Sequence, residues 1–377
     1  MRKVLMLYFI CFFSIFFALV LAKPLDSNFD TLAYVASAKS WETSNAIEIH
    51  QYAYDELQAY AAEDDYDLMI SGEYRQDMFT KVDAFMQQLP FYDIRVVYVG
   101  SIYVLSNLGL NPYFSAHLVS ALTGILGLVV LLRAFSAVVH PALLFSIPFF
   151  VIPLGFYELV RLGTPDALSF FAVSLLIYFY MKSRWNIMLV LLPFLILVRT
   201  DLLILVVIFA GYMVFIRRDL FWKIVASLAV TLLLYFSLNI YFGNYGWSTV
   251  FYVSFIDRVS EPAMQVLNVS VGDYVNVFSK RLQHVLTNSA FLMFLGLLTL
   301  SGVLYYLRNG IGTPDFKSEC TLVFSLLVIM FFYLCLHYLS FPAIWMRFFV
   351  AQYCIGLFVF LAMISLYLPR WNQEASK

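Results

Sequence analysis

The chain has 377 residues, of which 62% are hydrophobic and 12% charged, with 38 Phe and 26 Tyr. This composition is too apolar for a water-soluble core of that length and points to a polytopic membrane protein. The formal net charge is −1 and no dense basic patch is present, which excludes nucleic acid as a partner.

Arg2 and Lys3 precede an apolar run from Val4 to Ala22, which as a helix spans about 28 Å. Val20-Leu21-Ala22 would serve as a cleavage site, but the run is longer than a signal core, so a retained first helix is expected. Residues 23 to 95 then carry 14 acidic against 5 basic side chains. Within them "NAIEIHQYAYDELQAYAAEDD" and "YRQDMFTKVDAFMQQL" mix apolar and acidic positions at helical spacing, which predicts surface helices capping a bundle. "VVYVGSIYVLSNLGL", from Val96, is short for a crossing, and counting it as one would turn every later basic loop outward. It is therefore expected to lie in the outer interface, and residues 23 to 113 to form one large outer, periplasmic loop.

Further spans are expected at 114 to 132, 141 to 157, 167 to 181, 186 to 198, 202 to 216, 221 to 242, 289 to 307, 320 to 340 and 348 to 368. The fold expected is thus an all-α transmembrane bundle of about ten spans. Arg133, Lys182 with Arg184, Arg217 with Arg218 and Lys223, Arg308 with Lys317, and Arg370 with Lys377 fall in successive inner loops, with both termini cytoplasmic in a bacterial inner membrane. Three regions follow: 1–242, a second outer loop at 243–288, and C-terminal helices at 289–377. In the second loop "YFGNYGWSTVFYVSF" reads as an interfacial aromatic belt and, second, as a sugar-stacking surface. Asn268-Val269-Ser270 matches a glycosylation acceptor, which matters only in a eukaryotic secretory setting. Cys11, Cys320, Cys335 and Cys354 sit in apolar runs and read as packing residues.

Gly-Thr-Pro-Asp occurs twice, as "GTPDALSFF" from Gly163 and "GTPDFKSEC" from Gly312, and the expected topology puts the first copy outside and the second inside. The outer copy opens a span: Thr164 can cap it, Pro165 suits its first position and Asp166 its first turn. Helix capping alone would account for those three residues. The same outer face, however, collects Asp26, Asp30, Glu158, Arg161, Arg199, Asp201 and Arg347 from separate spans. Ionisable groups at membrane depth are costly and are usually paired or functional, so interfacial ion pairs compete with a site for an anionic, lipid-borne substrate. His284 and His337, near helix ends, read first as packing or interfacial residues and second as site-lining ones.

"PLDSNFDTLAYVASAKSW", from Pro24, resembles the start of the first outer loop of GT-C glycosyltransferases, the polyprenyl-phosphate-dependent group that includes protein mannosyltransferases and the lipid A aminoarabinose transferase. Asp30 with Tyr34 matches the family's Asp and Tyr, and Asp26 competes for the same place. "YDIRVVYVGSIYVLSNLGLNPYFSAHLVSALTG", from Tyr92, resembles the family's interfacial helix and second span, although Arg95 stands in place of a Lys before Pro-Pro-Leu and His117 in place of an Arg. "GTPDALSFF", "LVRTDLLIL" and "WMRFFVAQY" resemble the second acidic motif, an Arg-containing turn and a late Arg-aromatic motif.

The resemblance implies inverting transfer of a sugar from a polyprenyl-phosphate donor to a glycan, lipid or protein acceptor on the periplasmic face. It makes Asp30 the base and Asp166 an acceptor-orienting residue, with Tyr34, Arg95, His117, Glu158, Arg161, Arg199, Asp201 and Arg347 at the substrates. A divalent cation held by Asp30 and Asp166 is an open alternative. A polysaccharide polymerase or ligase is the runner-up class, and a lipid-linked sugar flippase the third. A flippase would be expected to show internal repeats and interrupted helices at the bilayer midplane, neither of which is evident here.

Overall fold

A computed structural model describes residues 2–22, 28–310, 318–343 and 345–368, and among these every regular element is helical. Helix α1 (Arg2–Leu21) is followed by seven helices that form a cap: α2 (Phe29–Lys39), α3 (Ala46–Tyr60), α4 (Glu63–Ile70), α5 (Glu73–Thr80), α6 (Val82–Met86), α7 (Pro90–Asp93) and α8 (Val96–Asn107). The expected acidic surface helices thus exist, broken into shorter pieces. They close over a core of their own built from Leu32, Ile49, Tyr54, Met78 and Phe85. Polar ties fasten the cap to the bundle: the Thr31 hydroxyl donates to the carbonyls of Leu162 and Gly163 at 3.2 and 3.1 Å, and the Tyr113 hydroxyl to that of Ala53 at 3.0 Å.

The bundle continues with α9 (Pro112–Phe135), α10 (Pro141–Leu144), α11 (Ile147–Val151), α12 (Tyr157–Arg161), α13 (Asp166–Met181), α14 (Trp185–Val198), α15 (Leu203–Ile216) and α16 (Phe221–Tyr241). It ends with α17 (Gly246–Phe255), α18 (Val271–Thr287), α19 (Ser289–Asn309), α20 (Glu319–Ser340) and α21 (Met346–Ser365). Among the described residues six helices are long and apolar enough to cross a membrane: α1, α9, α16 with the turn before it, α19, α20 and α21. Helices α8, α13 and α14 and the Thr200–Ile216 stretch that contains α15 are apolar but shorter.

One expected span is not a single helix. Residues 141–161 form α10, α11, a π-helical turn over Ile152–Phe156, and α12. Pro148 and Pro153 each remove a helical donor, and Gly155 takes φ 87°, a conformation that side-chain-bearing residues rarely adopt. The break has a packing reason: a Cβ at Gly155 would lie 2.6 Å from Cγ of Met346. The missing side chain thereby lets the first turn of α21, which carries Arg347, pass directly beneath the broken segment.

A second close approach sets the start of α13. A Cβ at Gly127 would stand 2.8 Å from Phe170 Cε1, so α9 and α13 meet nearly backbone to backbone, as small residues permit between helices in lipid. At the upper end of this contact the Ser120 hydroxyl donates to the Thr164 carbonyl at 3.1 Å. Helix α21 runs through the middle of the assembly, whereas α1 and α16 expose most of their apolar surface. One hydrophobic core runs from Phe16 on α1 to Met363 on α21, so the C-terminal helices are integral to the same bundle as the first 242 residues.

Candidate functional site

Five helix ends converge at the cap-facing end of the bundle, and each brings a charged or titratable side chain. Asp30 sits in the first turn of α2, where Asn28 caps the helix by accepting the Asp30 amide at 3.0 Å. Asp166 is the first residue of α13. Arg199 ends α14 in extended backbone, and Asp201 follows in a short 3-10 turn leading into α15. His337 is in the last turn of α20, and Arg347 is the second residue of α21.

These side chains form one continuous network. Arg199 grips Asp201 with both teeth of its fork, Nε to Oδ1 and Nη2 to Oδ2, each at 2.9 Å, while its remaining nitrogen Nη1 donates to Asp166 Oδ1. Arg347 Nη2 donates to Asp30 Oδ2 at 2.7 Å, and its Nε lies 3.9 Å from Asp166 Oδ2. The Tyr92 hydroxyl donates to the other oxygen of Asp30 at 3.1 Å. His337 Nε2 is 3.2 Å from Asp201 Oδ2. Asp166 is the most sheltered carboxylate, its side chain 3% exposed, against 27% for Asp30 and 31% for Asp201. Three carboxylates face two guanidinium groups, so the layer carries one unmatched negative charge when His337 is neutral.

Rings support the layer. Phe348 lies under both guanidinium groups, 4.5 Å from Arg199 and 5.3 Å from Arg347 to the ring centroid. Such stacking suits a planar, weakly hydrated cation. Tyr34 packs edge-on against Tyr92 and Tyr98, both at 5.1 Å. Arg95 stands 5.9 Å from the centroids of Tyr34 and Tyr92, in contact with ring faces rather than a carboxylate. Burial pushes the neighbouring Asp93 carboxyl up to about 6, against the opposing pull of the Ser37 hydroxyl and the Arg95 charge. Burial, reinforced by Asp30, likewise holds the Tyr92 phenol well above its ordinary value, so it remains a hydrogen-bond donor.

Beneath the charged layer lies a small, partly open recess. Asp166, Arg199, Asp201 and Arg347 form its polar rim, and Phe170 and Phe348 are among its apolar walls. Gln352 also lines it, with a buried Oε1 that accepts no hydrogen bond. Oriented acceptors, one buried and one partly buried guanidinium group and a small recess together can bind an anion, orient a hydroxyl and take up its proton.

Of the residues expected at a site, Asp30, Asp166, Arg199, Asp201 and Arg347 meet in this network, with Tyr34 and Arg95 one ring away. His117 is fully buried one turn into α9, and neither ring nitrogen has a hydrogen-bond partner. Arg161 lies against Tyr157, its Nη1 3.4 Å from the hydroxyl. Glu158 is exposed on α12 and takes no part in the layer. His284 is exposed on α18, whereas His337, read first as packing, belongs to the network. Asp26 and the second Gly-Thr-Pro-Asp, with Asp315, lie outside the described residues. The capping role expected of Thr164 is not what its side chain does: no side chain caps α13, and the Thr164 hydroxyl donates to Asp166 Oδ2 at 2.6 Å.

A cation shared by Asp30 and Asp166 does not fit this arrangement. Arg347 reaches both carboxylates, and among the described residues no three His, Cys, Asp or Glu side chains converge as ligands. Tyr92, Phe348 and Gln352 were not singled out from the sequence. Tyr92 and Phe348 stand beside predicted arginines in "YDIR" and "MRFF", a spacing that becomes informative only once the rings are seen to face the charges. No family model, curated protein or solved structure matches the chain.

Proposed function

We propose that the chain is an integral membrane glycosyltransferase that moves a sugar from a polyprenyl-phosphate donor to a glycan, lipid or protein acceptor at the membrane face bearing Asp30 and Asp166. The observation that carries this reading is the layer, buried at Asp166 and Arg199, in which two arginines and three carboxylates from four helix junctions meet over a small recess. Asp30 removes the proton of the acceptor hydroxyl as its oxygen attacks the anomeric carbon. The bond from that carbon to the phosphate oxygen breaks, and the phosphate leaves with the bonding electrons. Arg347 is the counter-ion that changes partner: it turns from Asp30 to the donor phosphate, which frees the carboxylate as base when donor is bound. Arg95, stacked on rings, is the second phosphate contact, and Asp166, fixed by Thr164 and Arg199, orients the acceptor.

The experiment that tests this reading is a mass comparison of envelope glycans and glycolipids with and without the gene. Loss of one sugar residue is the expected result. An unchanged glycan profile with redistributed lipid-linked precursors would replace transfer by a flippase, and shortened chains of an otherwise normal repeat would replace it by a polymerase.

The topology that accompanies this proposal has about ten crossings, including the shorter apolar helices, with the charged layer periplasmic and the termini cytoplasmic. Cysteine labels near Asp65 and Asn268 are then expected to react in intact cells, and labels near Arg218 only after the inner membrane is permeabilised. Labelling of Asp65 and Arg218 from the same side would overturn it.

A further inference from the structure

Helix α18 has three distinct edges, and only two of them have evident surroundings. Its N-terminus is fixed by a reciprocal cap in which Ser270 Oγ accepts the Asp273 amide at 3.1 Å and Asp273 Oδ2 accepts the Ser270 amide at 3.2 Å. The first edge packs on protein: the Tyr274 hydroxyl donates to the Leu339 carbonyl at 2.5 Å, the Phe278 ring lies tilted against Tyr338 at 5.3 Å, Arg281 lies 5.6 Å from the Phe255 ring, and Val285 is buried. The second edge is polar and carries Asn276, Lys280, Gln283 and His284, all exposed.

The third edge is apolar and bare. Val271, Val275, Leu282 and Leu286 follow at intervals of four, seven and four residues, which on a helix is a single stripe, and they are 82, 56, 40 and 57% exposed. Connectivity says what covers it. Asn288 is the only residue between α18 and α19, it caps α19 by accepting the Phe291 amide at 2.9 Å, and α19 is long and apolar enough to cross the membrane. Helix α18 is therefore tethered at the depth where a span enters the hydrocarbon. Opposite the stripe the polar edge carries Lys280, while Arg281 lies on the protein-packed edge beside Phe255, so the stripe itself is free of charge and a cation stands on the polar face, the pattern of a helix that lies in an anionic interface.

Position relative to the site sharpens this reading. A run of aromatic rings leads from α18 to the charged layer: Tyr274 to Phe251 at 5.6 Å, Phe251 to Phe255 at 5.0 Å, Phe255 to Phe341 at 4.6 Å, Phe341 to Trp345 at 5.9 Å and Trp345 to Phe348 at 5.3 Å. Phe348 is the ring beneath Arg199 and Arg347. We infer that α18 is a membrane-docking helix whose Val271, Val275, Leu282 and Leu286 edge sits among the acyl chains while Lys280, on the opposite polar edge, meets the phosphates of anionic phospholipids. It holds the aromatic run at headgroup level beside the site. The inference does not depend on the transfer reaction.

The test uses the full chain with its four cysteines replaced by alanine, reconstituted in phosphatidylglycerol-containing vesicles. Single nitroxide labels are placed at Val275, Leu282 and Leu286 and, on the polar edge, at Asn276, Lys280 and Gln283, all exposed positions where a label leaves packing intact. Oxygen is expected to relax the first set and an aqueous nickel chelate the second, with accessibility alternating at the helical period of about 3.6 residues. Equal nickel access at Val275 and Asn276 would place the stripe in water and overturn the inference. Exclusion of both reagents from Val275 and Leu282 would overturn it in favour of a second copy or another protein on that face. The depth of the Leu282 label is expected to decrease in purely phosphatidylcholine vesicles and in Lys280→Gln. A depth indifferent to both would remove the anionic headgroup from the proposal.

Discussion

Asp30→Asn is expected to abolish sugar transfer, lowering it by about 10²–10⁴-fold, the contribution typical of a general base, while the protein stays folded and inserted. The amide keeps the shape of the carboxylate and its contact with Tyr92, but it neither accepts a proton nor pairs with Arg347 as a counter-ion. Arg347 then still has Asp166 nearby, with its Nε 3.9 Å from Oδ2, so the substitution leaves no buried cation without a carboxylate. Structural loss should be small for that reason, and the measurement is transfer by membranes normalised to inserted protein. Two controls bracket the result. Glu158→Gln changes an exposed carboxylate outside the layer and should leave transfer within about twofold, since surface substitutions away from such features act weakly. Asp26→Asn tests the neighbouring position in the motif: loss there with activity retained in Asp30→Asn would mean that the base has been assigned four residues too late.

That Asp30, Asp166, Arg199, Asp201 and Arg347 share one end of the bundle was legible in the sequence, because alternating hydrophobic runs and loop charges assign each helix end to one side or the other, although the same reasoning put Asp26, Glu158 and Arg161 there too. What periodicity does not encode is pairing. That Arg347 joins Asp30 across more than 300 positions of chain depends on how α21 crosses the bundle, and that crossing depends on the break at Gly155. The 141–157 run reads as one span by hydropathy alone, since hydropathy does not register a positive φ. Pro148 and Pro153 were the available signal. The acidic segment after α1 shows the opposite limit: its helical periodicity was visible, yet its two stretches become four helices, because extended backbone at Ala61–Ala62 separates α3 from α4 and at Lys81 separates α5 from α6, breaks across which binary spacing runs on. His337 was read as packing because a single histidine in an apolar helix carries no spacing. Its position in the last turn, at the same end as Asp201, was the clue. Gly-Thr-Pro-Asp looked like a helix cap, and the Thr164 hydroxyl is spent on Asp166 instead, a choice between two local hydrogen bonds that the four letters do not determine.

Arg199→Gln is expected to be the more destabilising of two substitutions that remove the same ion pair, costing about 3–5 kcal/mol where Asp166→Asn costs about 1.5–3 kcal/mol. The difference follows from charge balance. Asp166→Asn leaves two carboxylates facing two guanidinium groups: Arg199 keeps both bonds to Asp201, and Arg347 keeps Asp30. What is lost is one charge-assisted hydrogen bond, and the amide oxygen can still accept from Thr164. Arg199→Gln instead leaves three carboxylates against Arg347, with His337 beside Asp201, and strands the sheltered Asp166 with no cation closer than Arg347 Nε at 3.9 Å; a buried charge without its partner is far more costly than a missing bond. Thermal unfolding of the purified variants, followed by the loss of monodisperse protein, ranks them directly. Adding Asp201→Asn to Arg199→Gln removes one stranded charge and is expected to recover part of the lost stability, as coupled neighbours do. If Arg199→Gln proves no less stable than Asp166→Asn, or if the double variant is worse than Arg199→Gln alone, the layer does not act as one balanced network, and Arg199 would then have to be held by its stacking on Phe348 rather than by its carboxylates.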